Sequence, residues 1–336
     1  MPACRQGFGV PTLRFQTVRA LFRILRPLVF RWRKLRKLGF DTAIVPRFGA
    51  DSDDAAYVAF VSGARRVVGY AQGASRRNGG GVDKNDRLFT EILPAGGVKH
   101  EVERNLDVVR YFGGEAVCVA VELWTTADDE DFADRILSSW RRKNHGPLVA
   151  VACGARAARK IWPAERFGAV CSWLRGDVGA GIVCIGSRLD RKRAQSVMSA
   201  CGDEGLDLTG RTSLRQLFAV LKRCQMYLGN DTGPMHMAAA ARVPVVEVSC
   251  HPLTGVAGHE LSPLRFGPWG VPSRVVQPGR AKAPCVEFCT QTGPHCILDV
   301  PVEEVRNSIS SLLSEITAGT GCVGSSSSNS NSLGHR

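Results

Sequence analysis

The sequence predicts an α/β fold in which a parallel sheet is covered by helices on both faces. From residue 147 onward, short apolar segments alternate with helix-forming segments, as in parallel strands joined by helices. The preceding hundred residues repeat this pattern less regularly. At 336 residues the chain has room for two such domains.

Each predicted strand is apolar and bounded by Gly, Pro or polar residues, and each predicted helix carries apolar residues at helical spacing. In the second half, strands are predicted at 147–153, 181–186, 206–208, 225–229 and 245–248, and helices at 163–174, 189–200, 214–223 and 301–316. In the first half, the prediction is a strand within 40–48, a helix at 53–62, a strand at 66–69, a polar loop at 72–86, a helix within 99–113, a strand at 116–123 and a helix at 128–143. We therefore predict a basic segment at 1–40, a first domain at 41–145, a second at 146–316 and a disordered tail at 317–336.

The positive charge is concentrated at the start of the chain. Net charge is +13, and residues 1–40 contain ten Lys or Arg and no Asp or Glu. Residues 21–38 suit an amphipathic helix on an anionic membrane surface, and a packed helix with a solvated basic face remains the alternative. No nucleic-acid-reading motif accompanies these residues. We expect a cytoplasmic protein with peripheral contact at the inner face of the plasma membrane, because no apolar run approaches the ~20 residues that span a bilayer.

Most of the twelve cysteines lie singly within apolar segments, as small buried residues do in a reducing compartment. Cys285, Cys289 and Cys296 cluster with His295 instead. Their spacing lacks the paired C-x-x-C of many zinc sites, so zinc binding and ordinary loop packing both remain open. We expect no metal in the functional site and no cofactor.

The stretch "YLGNDTGPMHMAAAARVPVVEV" (227–248) predicts a strand, a polar turn, a short helix and a second strand. Pro234 suits the first helical position, with Thr232 or Gly233 as the cap. A helix that begins at a strand end exposes free N–H groups, which form a site for phosphate. An ordinary strand–turn–helix with a capping Asp and a packed His is the alternative.

Four stretches together resemble glycosyltransferase family 9, the ADP-heptose:lipopolysaccharide heptosyltransferases. They are "HEVERNLDVVRYFG" (100–113), "VACGARAARKIWPAERFGAV" (151–170), "LDLTGRTSLRQLFAVLKRC" (206–224) and "GNDTGPMHMAAAARVPVVEV" (229–248). The resemblance implies a GT-B fold, with two Rossmann-like domains facing across a cleft. It also implies inverting, metal-independent transfer of heptose from ADP-heptose to a lipopolysaccharide core acceptor.

The resemblance further implies which residues bind the nucleotide-sugar. The donor diphosphate would lie on the turn formed by Asp231, Thr232, Gly233, Pro234, Met235 and His236. Lys160 would reach the phosphates, and the loop with Thr209, Gly210 and Thr212 would line the nucleotide side. We expect Asp231 to organise its loop by accepting backbone N–H bonds. The acidic run "DSDD" (51–54) resembles a metal motif but falls in the other predicted domain.

The first forty residues depart from the family pattern, which begins with a strand and a Gly-Asp turn whose Asp is the proposed base. This departure has three possible explanations: Met1 is not the true start, the protein has diverged from the family, or another carboxylate acts as the base. Asp51 is our candidate base, and the alternative is that the acidic residues there cap the next helix. A non-catalytic nucleotide-sugar-binding remnant and a protein-directed heptosyltransferase remain alternative functions.

Overall fold

The computed structural model describes residues 33–49, 54–71, 84–116, 119–141, 146–202 and 205–321. The chain divides into two compact units. The first comprises residues 1–97 and 107–113, and the second comprises 98–106 and 114–336. Most of the basic segment, residues 1–32, and the end of the predicted tail, residues 322–336, lie outside the described residues.

The first unit contains a three-stranded parallel sheet in the order β1-β2-β3. Its elements are the helical residues 33–37 (α1), β1 (Thr42–Val45), α2 (Ala55–Val61), β2 (Arg66–Tyr70), a 3₁₀ turn (Lys84–Leu88) and β3 (Glu91–Leu93). Ala56 and Ala59 of α2 pack on one face of this sheet, and Val108 packs on the other. Helix α3 (Glu101–Tyr111) contributes its second half to this unit.

The second unit contains a six-stranded parallel sheet in the order β6-β5-β4-β7-β8-β9. Its strands are β4 (Leu148–Ala152), β5 (Gly181–Cys184), β6 (Leu206–Asp207), β7 (Met226–Asn230), β8 (Val245–Val248) and β9 (Ser273–Val276). Its helices, besides the first half of α3, are α4 (Ala127–Arg141), α5 (Ala164–Val178), α6 (Arg191–Ala200), α7 (Leu214–Leu221), α8 (Gly233–Ala240), α9 (Pro263–Phe266) and α10 (Val302–Gly321). The predicted parallel α/β arrangement is confirmed.

Strand β4 shows why this sheet forms two hydrophobic cores. Its five residues are all buried, as expected for a central parallel strand covered on both faces. Val149 and Val151 join the core under α5, α6 and α10, while Leu148, Ala150 and Ala152 join the core under α4, α7 and α8. Helix α4 therefore packs with the second unit, although the sequence places it in the first domain.

The strand order reverses between β4 and β7. From β4 the chain adds β5 and β6 on one side, then returns to add β7, β8 and β9 on the other. Such a reversal leaves a crevice at the carboxyl ends of the two central strands, because the following loops diverge to opposite sides. The segments after β4 and β7 therefore meet at this point.

Three local predictions differ from the structure. Residues 119–126, which include most of the strand predicted at 116–123, form no strand, and Val119, Val121 and Leu123 expose 43%, 41% and 40% of their surface. That exposure is incompatible with a central strand covered on both faces. Helix α10 continues to Gly321, so residues 317–321 are helical instead of part of a tail. Strands β3 and β9 were not predicted.

Among the described residues, no helix is both long and apolar enough to cross a bilayer.

Two glycines of α5 provide a matched test of its packing. A Cβ at buried Gly168 would approach the Ala200 Cβ of α6 to 2.7 Å, whereas a Cβ at exposed Gly176 would meet nothing within 4 Å. We expect Gly168→Ala to lower the free energy of unfolding by ~1–3 kcal/mol through overpacking. Gly176→Ala should raise it by ~0.5–1 kcal/mol through the helix propensity of alanine. Denaturant unfolding measures both values, and equal effects would contradict the α5–α6 contact.

Candidate functional site

Helix α8 begins immediately after β7, as the sequence predicts. Thr232 is the N-cap residue, in an extended conformation (φ −153°, ψ 169°), and Pro234 lies in the first turn. The side chain of Thr232 makes no capping hydrogen bond to the helix. Pro234 has no N–H and the Met235 N–H donates to the Thr232 carbonyl at 3.0 Å, so among the described residues the Gly233 N–H is the first-turn donor left for a ligand. The helix dipole favours an anion there.

Gly233 leaves open space at the start of α8. A Cβ at this position would meet nothing within 4 Å, and the backbone is not left-handed. The local conformation therefore does not require glycine. Its effect is to keep the space in front of the helix N–H groups free for a close ligand.

Lys160 lies beside this helix start. It ends a 3₁₀ turn (Ala158–Lys160) that follows β4, and its Nζ donates to Asp231 Oδ2 at 2.6 Å. Their side chains expose 21% and 11% of their surface. The expected backbone N–H bonds to Asp231 are not found among the described residues, where its partner is Lys160. Asp231 therefore positions a cation instead of closing an Asx-type turn.

Asn230, the last residue of β7, connects the two strand ends. Its side chain is fully buried, its Nδ2 donates to the Gly154 carbonyl at 3.2 Å, and its Oδ1 accepts from the Trp162 N–H at 3.0 Å. These bonds hold the segment that carries Lys160 against the start of α8. We did not predict a role for Asn230, although an amide at the end of an apolar strand was a signal for one.

A cavity of about 1630 Å³ opens at this position, within the second unit. Eight of the predicted site residues line it: Lys160, Gly210, Thr212, Asp231, Thr232, Gly233, Pro234 and His236. Thr209 and Met235 do not. The Thr209 hydroxyl is buried and donates to Asp207 Oδ1 at 2.6 Å, and Met235 packs in the core beneath α8. Thr209 thus supports the loop, while its neighbours face the cavity.

The cavity wall is rich in cations. Arg156, Arg188 and Arg193 line it together with Lys160, which suits an anionic ligand. Gly210 has a left-handed backbone (φ 67°), and a Cβ there would lie 3.0 Å from the Arg188 backbone. Glycine is therefore required at this position, where the loops after β5 and β6 meet.

His236 is exposed on the cavity wall, one turn into α8. Partial burial lowers the pKa of its imidazole, and the nearby Asp231 charge opposes this shift. A lowered pKa keeps the ring neutral at pH 7, able to donate one hydrogen bond. His100 also acts on this pKa and lowers it. His100 stacks on Trp269 within the second unit, with 4.5 Å between ring centroids, and we did not nominate it from the sequence.

Glu247 lies beneath the site in β8, where it pairs with Gly229 of β7. Its side chain is 1% exposed, and its Oε2 has no hydrogen-bond partner within the described part of the chain. Burial raises the pKa of Glu247 well above its usual value; the Asp231 charge adds to the shift, and Lys160 opposes it. Burial therefore favours the neutral form of this carboxyl. A glutamate inside the apolar run "VVEV" was the signal that we missed.

The candidate base Asp51 lies outside the described residues. Asp54, the N-cap of α2, has a left-handed backbone (φ 55°) and makes no side-chain capping bond. The capping alternative therefore does not hold for Asp54, and Asp51 remains a prediction.

The family model for glycosyltransferase family 9 (heptosyltransferase) matches residues 30–293. The chain belongs to this family. The lipopolysaccharide core heptosyltransferase OpsX of Haemophilus influenzae is 23% identical over 246 residues, which cover 73% of this chain and 64% of OpsX. The matched region thus spans less than two thirds of that relative.

Solved structures of family 9 proteins share the fold. A glycosyl transferase of this family from Veillonella parvula superposes with a TM-score of 0.65 at 20% identity, covering 84% of this chain and 77% of that one. The ADP-heptose lps heptosyltransferase II of E. coli superposes with a TM-score of 0.55 at 20% identity, covering 85% and 80%. The predicted GT-B fold class is confirmed.

The buried carboxyl of Glu247 predicts a pH-dependent stability. Because its pKa is raised in the folded state, its contribution is fully present below the unfolded pKa and is lost as pH rises toward the folded pKa. A glutamine at position 247 cannot ionise, so the Glu247→Gln variant should not show this pH-dependent loss of stability. Relative to the variant, wild type should become less stable as pH rises above the unfolded pKa of about 4.3, by up to ~1.4 kcal/mol per pH unit until the folded pKa is reached.

Denaturant unfolding at several pH values measures this difference. The exposed substitution Glu304→Gln is the matched control and should follow the wild-type profile. A constant difference between wild type and Glu247→Gln from pH 5 to 8 would show that Glu247 is ionised in the folded protein.

Proposed function

We propose that this protein is an inverting, metal-independent glycosyltransferase that transfers heptose from ADP-heptose to a lipopolysaccharide core acceptor. The observation that carries the proposal is the open start of α8 with Lys160 beside it, in a cation-rich cavity. Family membership supports the reaction class. The names of the Haemophilus and E. coli proteins support the choice of acceptor and donor.

The donor diphosphate would lie against the N-terminus of α8. The Gly233 N–H would donate to a phosphate oxygen, and the absence of a side chain at Gly233 would allow the close approach. Lys160 would exchange part of its contact with Asp231 for a phosphate oxygen. Gly210 and Thr212 would lie on the nucleotide side, on the loop that Thr209 supports.

Transfer requires stabilisation of the leaving group and a base. As the bond between the anomeric carbon and the diphosphate oxygen breaks, negative charge grows on the leaving diphosphate. The N-terminus of α8 and Lys160 would lie where that charge develops, in the role that a metal ion usually fills. The acceptor hydroxyl attacks the anomeric carbon from the opposite face and gives its proton to a base. Asp51 is our candidate for that base.

ADP binding tests this site directly. ADP at a hundredfold excess over its Kd should stabilise wild type by ~2.7 kcal/mol, seen as a rise in melting temperature. Lys160→Ala removes the cation, and Gly233→Val fills the space in front of the helix. Each should weaken ADP binding at least tenfold, or by ~1.4 kcal/mol, while leaving a cooperative melt.

Lys222→Ala is the matched control, because Lys222 forms an equally short ion pair, 2.6 Å from Glu130, away from the cavity. It should retain the wild-type response to ADP. All measurements use magnesium-free buffer, and added magnesium should leave the response unchanged. If Lys160→Ala and Gly233→Val respond to ADP as wild type does, the start of α8 is only a capped turn. A response that requires magnesium would contradict metal independence.

A further inference from the structure

The loop between β9 and α10 brings four metal-ligating side chains together. Their donor atoms all lie within 4.8 Å of one another. We call this group the Cys–His cluster: Cys285, Cys289, His295 and Cys296. The three thiols are 5%, 1% and 0% exposed, and the imidazole is half-buried.

The distances from His295 to two of the thiols fit the ligand shell of a tetrahedral zinc ion. His295 Nδ1 lies 3.6 Å from Cys285 Sγ and 3.5 Å from Cys296 Sγ. With Zn–S of about 2.3 Å and Zn–N of about 2.0–2.1 Å, tetrahedral geometry places neighbouring N and S ligand atoms about 3.6 Å apart. Three cysteines and one histidine are also a common ligand set of structural zinc sites.

The setting of the cluster differs from that of the other buried cysteines. Cys153 follows a strand end, Cys171 lies within α5 and Cys184 ends β5, in the same hydrophobic core that also includes the three thiols of the cluster. The cluster instead occupies residues 285–296, which contain no helix or strand before a 3₁₀ turn begins at Cys296. Packing alone does not account for the convergence of a polar imidazole on three thiols.

The surroundings of Cys285 also suit a metal-bound thiolate. The backbone N–H of Thr290 donates to Cys285 Sγ at 3.4 Å, and the Thr290 hydroxyl lies 3.5 Å from the same sulfur. Hydrogen bonds from the surrounding shell to ligand atoms orient the ligands and stabilise their charge. The loop thus supplies both the ligands and a partner for one of them.

We propose that the Cys–His cluster binds one zinc ion, which holds the loop between β9 and α10 in place. The C-x₃-C-x₅-H-C spacing explains why the sequence left this site open, since it lacks a C-x-x-C pair. All four ligand positions are filled by the protein, so the ion is structural and takes no part in sugar transfer.

The loop has direct contacts with the segment that follows Lys160. The Trp162 indole donates to the Val300 carbonyl at 3.0 Å, and the Arg166 guanidinium donates to the Leu298 and Val300 carbonyls at 2.6 and 2.8 Å. Both carbonyls lie within four residues of Cys296. Zinc would therefore also steady the segment next to the proposed phosphate site.

Metal content of the full-length protein tests the proposal. After purification under reducing conditions and gel filtration, elemental analysis should find one zinc per chain. His295→Ala and Cys289→Ser should lose at least nine tenths of it. His295→Cys should keep it, because a fourth thiolate replaces the imidazole. Cys224→Ser is the matched control, since its hydroxyl can still donate to the Val220 carbonyl, and it should keep the zinc.

Cobalt substitution keeps the test decisive where a variant folds poorly. Wild type stripped of metal and given Co²⁺ should show the intense visible bands of a tetrahedral thiolate site, and Zn²⁺ should abolish them. Removing the metal should also lower the melting temperature, and added zinc should restore it. The absence of both zinc and cobalt bands in reduced wild type would overturn the proposal. Zinc retained by His295→Ala and Cys289→Ser, or iron in place of zinc, would overturn it as well.

Discussion

The reversal of strand order between β4 and β7 is the constraint on which the site depends. It brings the segment after β4, with Lys160, next to the segment after β7, with Asp231 and the start of α8. The buried amide of Asn230 then joins the two strand ends through Gly154 and Trp162. Without this reversal, a cation and a helix N-terminus far apart in sequence would not share one cavity.

The charged groups near the ends of β4 and β7 suit the binding and release of an anion. Asp231 holds Lys160 in place at 2.6 Å, and burial raises the pKa of Glu247 below it, which favours the neutral carboxyl. The Lys160 and Asp231 side chains are largely buried, exposing 21% and 11% of their surface, so separating them without a replacement partner would be costly. A phosphate oxygen would supply that replacement, which allows Lys160 to turn toward it. The nearby arginines add to the attraction for such a ligand.

The sequence was sufficient for features that depend on local physics. The repeated apolar segments predicted the parallel sheet of the second unit, and the Thr-Gly-Pro sequence predicted the start of α8. Features that depend on tertiary contacts were missed. Residues 119–124 are mostly apolar but remain two-fifths exposed at Val119 and Val121, and β9 forms only because β8 offers it an edge.

Side-chain partners can likewise be divided into those that the local sequence indicates and those that depend on tertiary contacts. Residue types at the turn indicated an anion site, but no local rule could reveal that Asp231 pairs with Lys160, 71 residues away. Thr209 is different, because its N–H and hydroxyl both donate to Asp207 two residues earlier, a local Asx-type arrangement that the sequence could have indicated. The buried carboxyl of Glu247 could be noticed in the sequence, yet its position beneath Asp231 follows only from the register of β7 and β8.

A crystal structure of the protein with ADP, grown without magnesium, tests the central claim most directly. The account predicts that the diphosphate lies at the N-terminus of α8, accepts a hydrogen bond from the Gly233 N–H and contacts Lys160 Nζ through a phosphate oxygen. It would be contradicted by ADP whose phosphates lie away from α8 while Lys160 keeps only its contact with Asp231.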